Sequence, residues 1–185
     1  MRKCVLITKD SHLAVAKRYA GHRFFALPEA KEVADQLEDE VSFLPEEEAQ
    51  KREDALFYSF RYLFERGYDE IIVLTTITSS AVHFLQGIRM FETYGNISIA
   101  FENEKESLRY FPVGTYILTK DECQNFSVFG FLKAVISIDY ATSKVSHYPL
   151  DGEHPPILSL EFISRLVVLH VEKGSVLFVK NWEVT

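Results

Sequence analysis

Two stretches of this chain hold side chains of the types and spacing that could do chemistry. In the first, Glu46, Glu47, Glu48, Glu53 and Asp54 gather beside Lys51 and Arg52 at the start of a long amphipathic segment. In the second, Thr75, Thr76, Thr78, Ser79 and Ser80 make a hydroxyl-rich turn, with His83 about one helical turn further on. Carboxylates next to a turn of hydroxyls and free helix N–H groups suit a magnesium-bound polyphosphate. Each feature also has a plainer use. An acid at position 54 favours the positive end of its helix, and the glutamate run is an ordinary solvated loop. Lys51 and Arg52 can pair with the neighbouring acids, His83 can be a structural histidine, and the serines and threonines can simply cap the next helix. Asp10, at the end of the first strand, is placed for a ligand by topology alone.

The elements that must position these residues follow from periodicity. Leu56, Phe60, Leu63 and Phe64 recur at three- and four-residue spacing, so the spacing predicts one long helix with an apolar face, closed at Gly67. Ile71–Leu74 is a continuous apolar run, as expected of a strand covered on both faces. Further strands are expected at Cys4–Thr8, Arg23–Leu27, Val41–Leu44 and Ile97–Phe101. Helices are expected from Ser11, as a cap, through Tyr19; at Glu29–Leu37; and from Ser79 or Ser80 to Phe91. Five strands alternating with four helices predict a doubly wound parallel α/β layer. Its ligand rim lies at the carboxyl ends of the strands, where both stretches fall.

After a polar linker, Glu102–Glu106, the pattern changes. Leu108–Val113, Thr115–Thr119, Phe126–Phe131, Ala134–Tyr140, Arg165–Val171 and Val176–Lys180 read as short strands, separated by turn signals that include Lys173-Gly174. An antiparallel β-sandwich or open barrel is expected, with Tyr148 and Trp182 as candidates for a dimer face. The domains are thus expected at 1–102 and 103–185.

Composition narrows the function classes. The chain has 185 residues and a formal charge of −7, with its cations dispersed. That argues against a non-specific nucleic-acid binder. No apolar run reaches the ~20 residues of a bilayer-spanning helix, and no signal-like segment opens the sequence. Its two cysteines, Cys4 and Cys123, read as reduced thiols, hence an expected cytoplasmic location. There is no GxxxxGK[ST], GxGxxG or GxSxG motif. Among the histidines, His147 and His154 lie seven apart without thiolate companions, so no zinc spacing is present.

LPEEEAQKREDALFYSF followed by GYDEIIVLTTITSSAVHFL resembles the thiamine pyrophosphokinase (thiamine diphosphokinase) family. That family has Lys-x-x-Thr-Asp opening a helix, then a buried strand and a Gly-rich turn ending Arg-x-Asp-His. Lys51-Arg52-Glu53-Asp54 falls on the first pattern, with Glu53 in place of Thr, and His83 is kept from the second. His147-Tyr148-Pro149-Leu150 and Ser159-Leu160-Glu161-Phe162 are similar to its Tyr-Pro-Leu and Ser-Asn-Glu-Phe segments, and Val171–Val179 to its closing hairpin. The departures are equally definite. The Gly-Asp-x-Asp-Ser loop is missing, Ser80-Ala81-Val82 replaces Arg-x-Asp, and Leu160 replaces the thiamine-facing Asn.

The resemblance implies a homodimer that transfers a pyrophosphoryl group from ATP to thiamine with Mg2+. Asp54 and His83 would be catalytic, and Asp54 and Glu53 would bind metal. Lys51, Arg52, Thr76 and Ser79 would hold the nucleotide, and Ser159 and Tyr148 the substrate. Loss of the aspartates removes much of the cation-based stabilisation that phosphoryl-type transfer needs. A catalytically inactive relative, binding a small molecule or acting as a homodimeric interaction protein, therefore stands beside the transferase. Neither reading involves nucleic acid or membrane.

Overall fold

A computed structural model describes residues 2–45, 55–76, 85, 87–89, 93, 98–120 and 125–181. The protein is a mostly-sheet α/β fold and divides into two compact units, residues 1–104 and 105–185.

In the first unit, strands β1 (Lys3–Ile7), β2 (Arg23–Ala26), β3 (Val41–Phe43), β4 (Glu70–Leu74) and β5 (Ser98–Glu102) pair in the order β3-β2-β1-β4-β5. Every pairing is parallel, with Cys4 opposite Arg23 on one side and Ile71 on the other. In the central strands β1 and β4, the apolar runs Cys4–Ile7 and Ile71–Leu74 are buried throughout. Val5, Ile7, Phe24, Ala26, Ile72, Leu74 and Ala100 pack with Val15 and Ala16 of α1 (Leu13–Lys17) and Ala34 of α2 (Lys31–Ala34). Helix α3 (Ala55–Glu65) serves the opposite face, where Phe60 meets Phe101 edge-on at 6.4 Å.

The predicted apolar stripe of α3 is the buried one: Leu56, Phe60 and Leu63 are each at most 3% exposed. The helix ends as its glycine requires. Gly67 takes φ 78°, its N–H donates to the Phe64 carbonyl at 2.8 Å, and the Tyr68 N–H donates to that of Leu63 at 3.1 Å. These two bonds form a Schellman closure.

Three expectations need correction in this unit. Ser11 does not cap α1; His12 occupies that position without a side-chain bond, because the Ser11 hydroxyl is engaged elsewhere. The helix expected over 29–37 is a 3-10 turn (Pro28–Ala30) followed by the four-residue α2. Glu102, expected in an exposed linker, is a buried residue of β5, and the Tyr19 hydroxyl donates to its carboxylate.

The second unit is wholly antiparallel. Its strands are β6 (Glu106–Phe111), β7 (Gly114–Thr119), β8 (Asn125–Asp139), β9 (Val145–Leu150), β10 (Ile157–Glu161) and β11 (Leu166–Asn181). β8 and β11 pair with each other over most of their length, and each has two further partners. β11 takes β7 along Leu166–Val171 and β6 along Val176–Asn181; β8 takes β10 near Phe126 and β9 near Ile136. One core joins Phe111, Phe126, Val128 and Phe178 to Ile136, Ile138, Leu150, Val167 and Leu169.

The four short strands expected within 126–140 and 165–180 are therefore two long ones. The turn signal Lys173-Gly174 lies inside β11, where the register with β8 shifts three times between Val171 and Val176. Such bulges kink a paired ribbon without ending it. Strands β9 and β10 were not anticipated, and His147 lies on β9.

Candidate functional site

The order β3-β2-β1-β4-β5 reverses between β1 and β4: the chain runs outward through β2 and β3 on one side, then returns to β4 on the other. In open parallel sheets that reversal leaves a crevice beyond the carboxyl ends of the two strands. Here it is built from hydroxyls. The Thr8 and Ser11 hydroxyls both donate to the Leu74 carbonyl, at 2.9 and 2.5 Å. Ser11 Oγ also accepts the Thr8 N–H at 2.8 Å, and the Thr8 carbonyl accepts the Ser11 N–H at 3.1 Å. The Thr75 N–H donates to the Glu102 carbonyl at 3.0 Å. This mesh locks the ends of β1, β4 and β5 together and leaves Thr8, Ser11 and Thr75 buried.

Around that mesh lie more accessible groups. Asp10 is half-buried, its N–H donating to Thr8 Oγ1 at 3.3 Å, and Thr76 follows Thr75 half-buried. His12 pairs with Glu104, Nδ1 to Oε1 3.2 Å, both about half exposed. The hydroxyls of the mesh act as structural clamps, and the polar groups around it can meet a polar ligand. Among the described residues no cluster of His, Cys, Asp and Glu is arranged to hold a metal ion. Asp10, Glu102 and Glu104 do not converge, so these three do not make a magnesium site.

Ser11→Ala tests the clamp. It strands the buried Thr8 N–H and removes one of two donors from the Leu74 carbonyl. The expected loss is about 1–3 kcal/mol of unfolding free energy in a urea titration; an unchanged midpoint would show that the hydroxyl is idle.

Of the expected site residues, Glu46–Glu48, Lys51, Arg52, Glu53, Asp54, Thr78, Ser79, Ser80 and His83 lie outside the described residues, as do Cys123 and Trp182. Thr76 lies on the β4 side of the crevice. Tyr148 and Ser159 belong to the second unit and sit apart along β8. Tyr148 is opposite Ile136, whereas the Ser159 N–H donates to Ser127 Oγ at 3.1 Å. Ser159 is exposed and takes φ 53°, a left-handed conformation unusual for serine, within the bulge between Ile157 and Leu160. Tyr148 packs against the core, and its hydroxyl donates to the Pro155 carbonyl at 3.2 Å.

The second unit also holds a polar cluster that the sequence reading missed. Ser137 donates to Glu172 Oε1 at 2.5 Å, and His147 Nδ1 meets Glu172 Oε2 at 2.7 Å. The bond from Ser137, then that from His147, hold the Glu172 carboxyl below its ordinary value of 4.5. Beside it His170 Nε2 meets Asp139 Oδ2 at 3.5 Å, and strand alternation is the signal that could have pointed to both, since Ser137 and Asp139, and likewise His170 and Glu172, are two apart on their strands.

Because its folded pKa is depressed, Glu172 adds stability above the unfolded carboxylate value, and loses it as the pH falls through the folded one. Glu172→Gln is therefore expected to flatten the decline in urea midpoint between about pH 5 and pH 3. Parallel declines in the two proteins would remove Glu172 from the acid response. Cys4, by contrast, is inert: burial pushes its thiol up to about 12.

No protein-family model matches the sequence, and no curated protein sequence does. Solved structures do match. Thiamine pyrophosphokinase from Bacillus subtilis superposes with a TM-score of 0.75 at 15% identity, over 98% of this chain and 100% of that one. The enzyme from Geobacillus thermodenitrificans gives 0.69 at 9% identity, over 99% of each chain. The yeast enzyme gives 0.63 at 9% identity, over 98% of this chain and 86% of that one. The likeness runs through both units and shows a shared fold.

Proposed function

We propose that this chain is a divergent thiamine pyrophosphokinase-like protein that catalyses ATP-dependent pyrophosphoryl transfer to thiamine, with Mg2+. Full-length likeness to three such enzymes, despite low identity, is the observation that carries this reading. The finer architecture belongs to the same proposal: a doubly wound parallel sheet over 1–102, then an antiparallel β-sandwich over 103–185 that helps bind thiamine. So do a homodimeric assembly and a cytoplasmic location.

In this reading Asp54 and His83 are catalytic, Asp54 and Glu53 are the metal ligands, and Lys51, Arg52, Thr76 and Ser79 meet the nucleotide. Ser159 and Tyr148 are the substrate contacts. In the chain, Asp54 directly precedes α3 and His83 comes nine residues after the end of β4. Among the described residues no group of His, Cys, Asp and Glu could hold a metal ion, and the proposed ligands Glu53 and Asp54 lie outside them.

The specific observation favouring an inactive relative is the use made of the crevice hydroxyls. Thr8 and Ser11 spend their donors on Leu74 and present none to a phosphate. Incubation of the purified full chain with magnesium chloride, ATP and thiamine decides the matter. Formation of AMP and thiamine diphosphate in equal amounts, abolished in Asp54→Asn, is the expected result. Absence of both products at high enzyme concentration overturns the transferase. Thermal shift with thiamine, its phosphates and nucleotides then tests the binding protein, since a ligand at 100 times its Kd stabilises by about 2.7 kcal/mol.

A further inference from the structure

The second unit contains a hollow of about 380 Å³ beside β8. One wall is made by Phe129, Phe131 and Lys133, alternate residues of that strand, and the other by the turn that follows β9, including Asp151, His154 and Pro156. Close packing fixes one end. A Cβ at Gly130 would lie 2.7 Å from the Leu150 carbonyl oxygen, so β8 and the turn touch there only because residue 130 has no side chain.

The turn is set before any ligand arrives. Asp151 Oδ1 accepts the N–H groups of Glu153 and His154 at 2.9 and 3.1 Å and meets His154 Nδ1 at 2.9 Å. The Tyr148 hydroxyl ties down Pro155, and its ring meets the His154 imidazole edge-on at 6.1 Å. Across the hollow, Phe131 is held edge-on by Tyr110 at 5.8 Å. Walls ordered in advance spare a ligand the entropy of ordering them.

The charges state what would fit. Asp151 commits its Oδ1 to the turn. His154 has its Nδ1 taken and Nε2 left over, and Lys133 has no ion-pair partner among the described residues. Two aromatic rings beside an unmatched ammonium and an imidazole nitrogen select a flat apolar body bearing a negative group. We infer that this hollow binds a small aromatic acid, its ring against Phe129 and Phe131 and its acidic group at Lys133 and His154. The inference uses the second unit alone and stands whether or not the chain transfers pyrophosphate.

Calorimetric titration of the full chain with 2-naphthoate, 2-naphthyl phosphate and the neutral 2-naphthalenemethanol tests it. At least one of the acids is expected to bind saturably at one site, about tenfold or more tighter than the alcohol. Which acid it is assigns the negative group as carboxylate or phosphate. Lys133→Met should weaken that binding about tenfold with its urea midpoint unchanged, Phe131→Ala should weaken it too, and the exposed Lys173→Met should leave it alone. Failure of both acids to saturate at millimolar concentration overturns the inference. So does wild-type affinity in Lys133→Met, or equal affinity for the neutral alcohol.

Discussion

Gly174→Val lowers unfolding free energy by about 2–5 kcal/mol, combining left-handed backbone strain with overpacking. Residue 174 has φ 72°, a conformation that costs a branched side chain more than any other type. Space is also lacking. A Cβ there would lie 2.3 Å from the Lys133 carbonyl oxygen and 3.0 Å from Ala134 Cα. Both obstacles are backbone, in a strand paired on its two sides, so neither can swing away as the end of a side chain could. Gly174→Ala already carries the offending atom and should lose most of the same stability. Gly152→Ala provides the contrast: nothing lies within 4 Å of its would-be Cβ, and a change within about 0.5 kcal/mol is expected. Urea titration of the three variants settles the point, and a Gly174→Val midpoint equal to that of the parent would refute the bulge geometry.

The other large effect is expected from Phe60→Ala, at about 3–5 kcal/mol. Phe60 is fully buried, on the face of α3 that meets the sheet, with its ring edge-on to Phe101 at 89°. Truncation removes that contact and leaves a cavity beneath the helix whose preceding residues include Lys51, Arg52 and Asp54. Phe60→Leu keeps most of the volume and should cost well under half as much. If Phe60→Ala matched Phe60→Leu in a thermal or urea melt, α3 would not be anchored through this ring. Any pyrophosphotransferase activity should fall in step with the loss of folded α3, because the proposed catalytic Asp54 directly precedes it in the chain.

The first unit was legible for a simple reason. Strands such as Cys4-Val5-Leu6-Ile7 and Ile71-Ile72-Val73-Leu74 are apolar throughout, and only parallel strands covered on both faces bury every side chain that way. The stripe Leu56, Phe60, Leu63 and the stop at Gly67 needed no partner to be read, since both are local properties of a helix. In the second unit the same reasoning broke two long strands, β8 and β11, in two each. Gly174 carries a turn signal, but β8 and β11 face each other across it and shift register together, so pairing overrides the local tendency. Gly130 marks where the sheet edge touches the following turn, which no single-strand pattern reveals.

The roles of the polar residues divide along the same line. Sequence placed Thr8 at the end of the first strand, Ser11 as a helix cap and Thr75 in a hydroxyl-rich turn. Tertiary structure gave Thr8 and Ser11 to a single carbonyl of β4, 63 to 66 residues away, because a buried C=O at a strand end must find donors. It likewise buried Glu102 against the Tyr19 hydroxyl and joined Ser137, His147 and Glu172 from three strands. By itself, then, the sequence determined the alternating α/β half, the all-strand half and the buried face of α3, since hydrophobic periodicity is written residue by residue. Only the folded chain decided which hydroxyls are clamps and which charges beside β8 lack an ion-pair partner among the described residues, because a partner distant in sequence leaves no local trace.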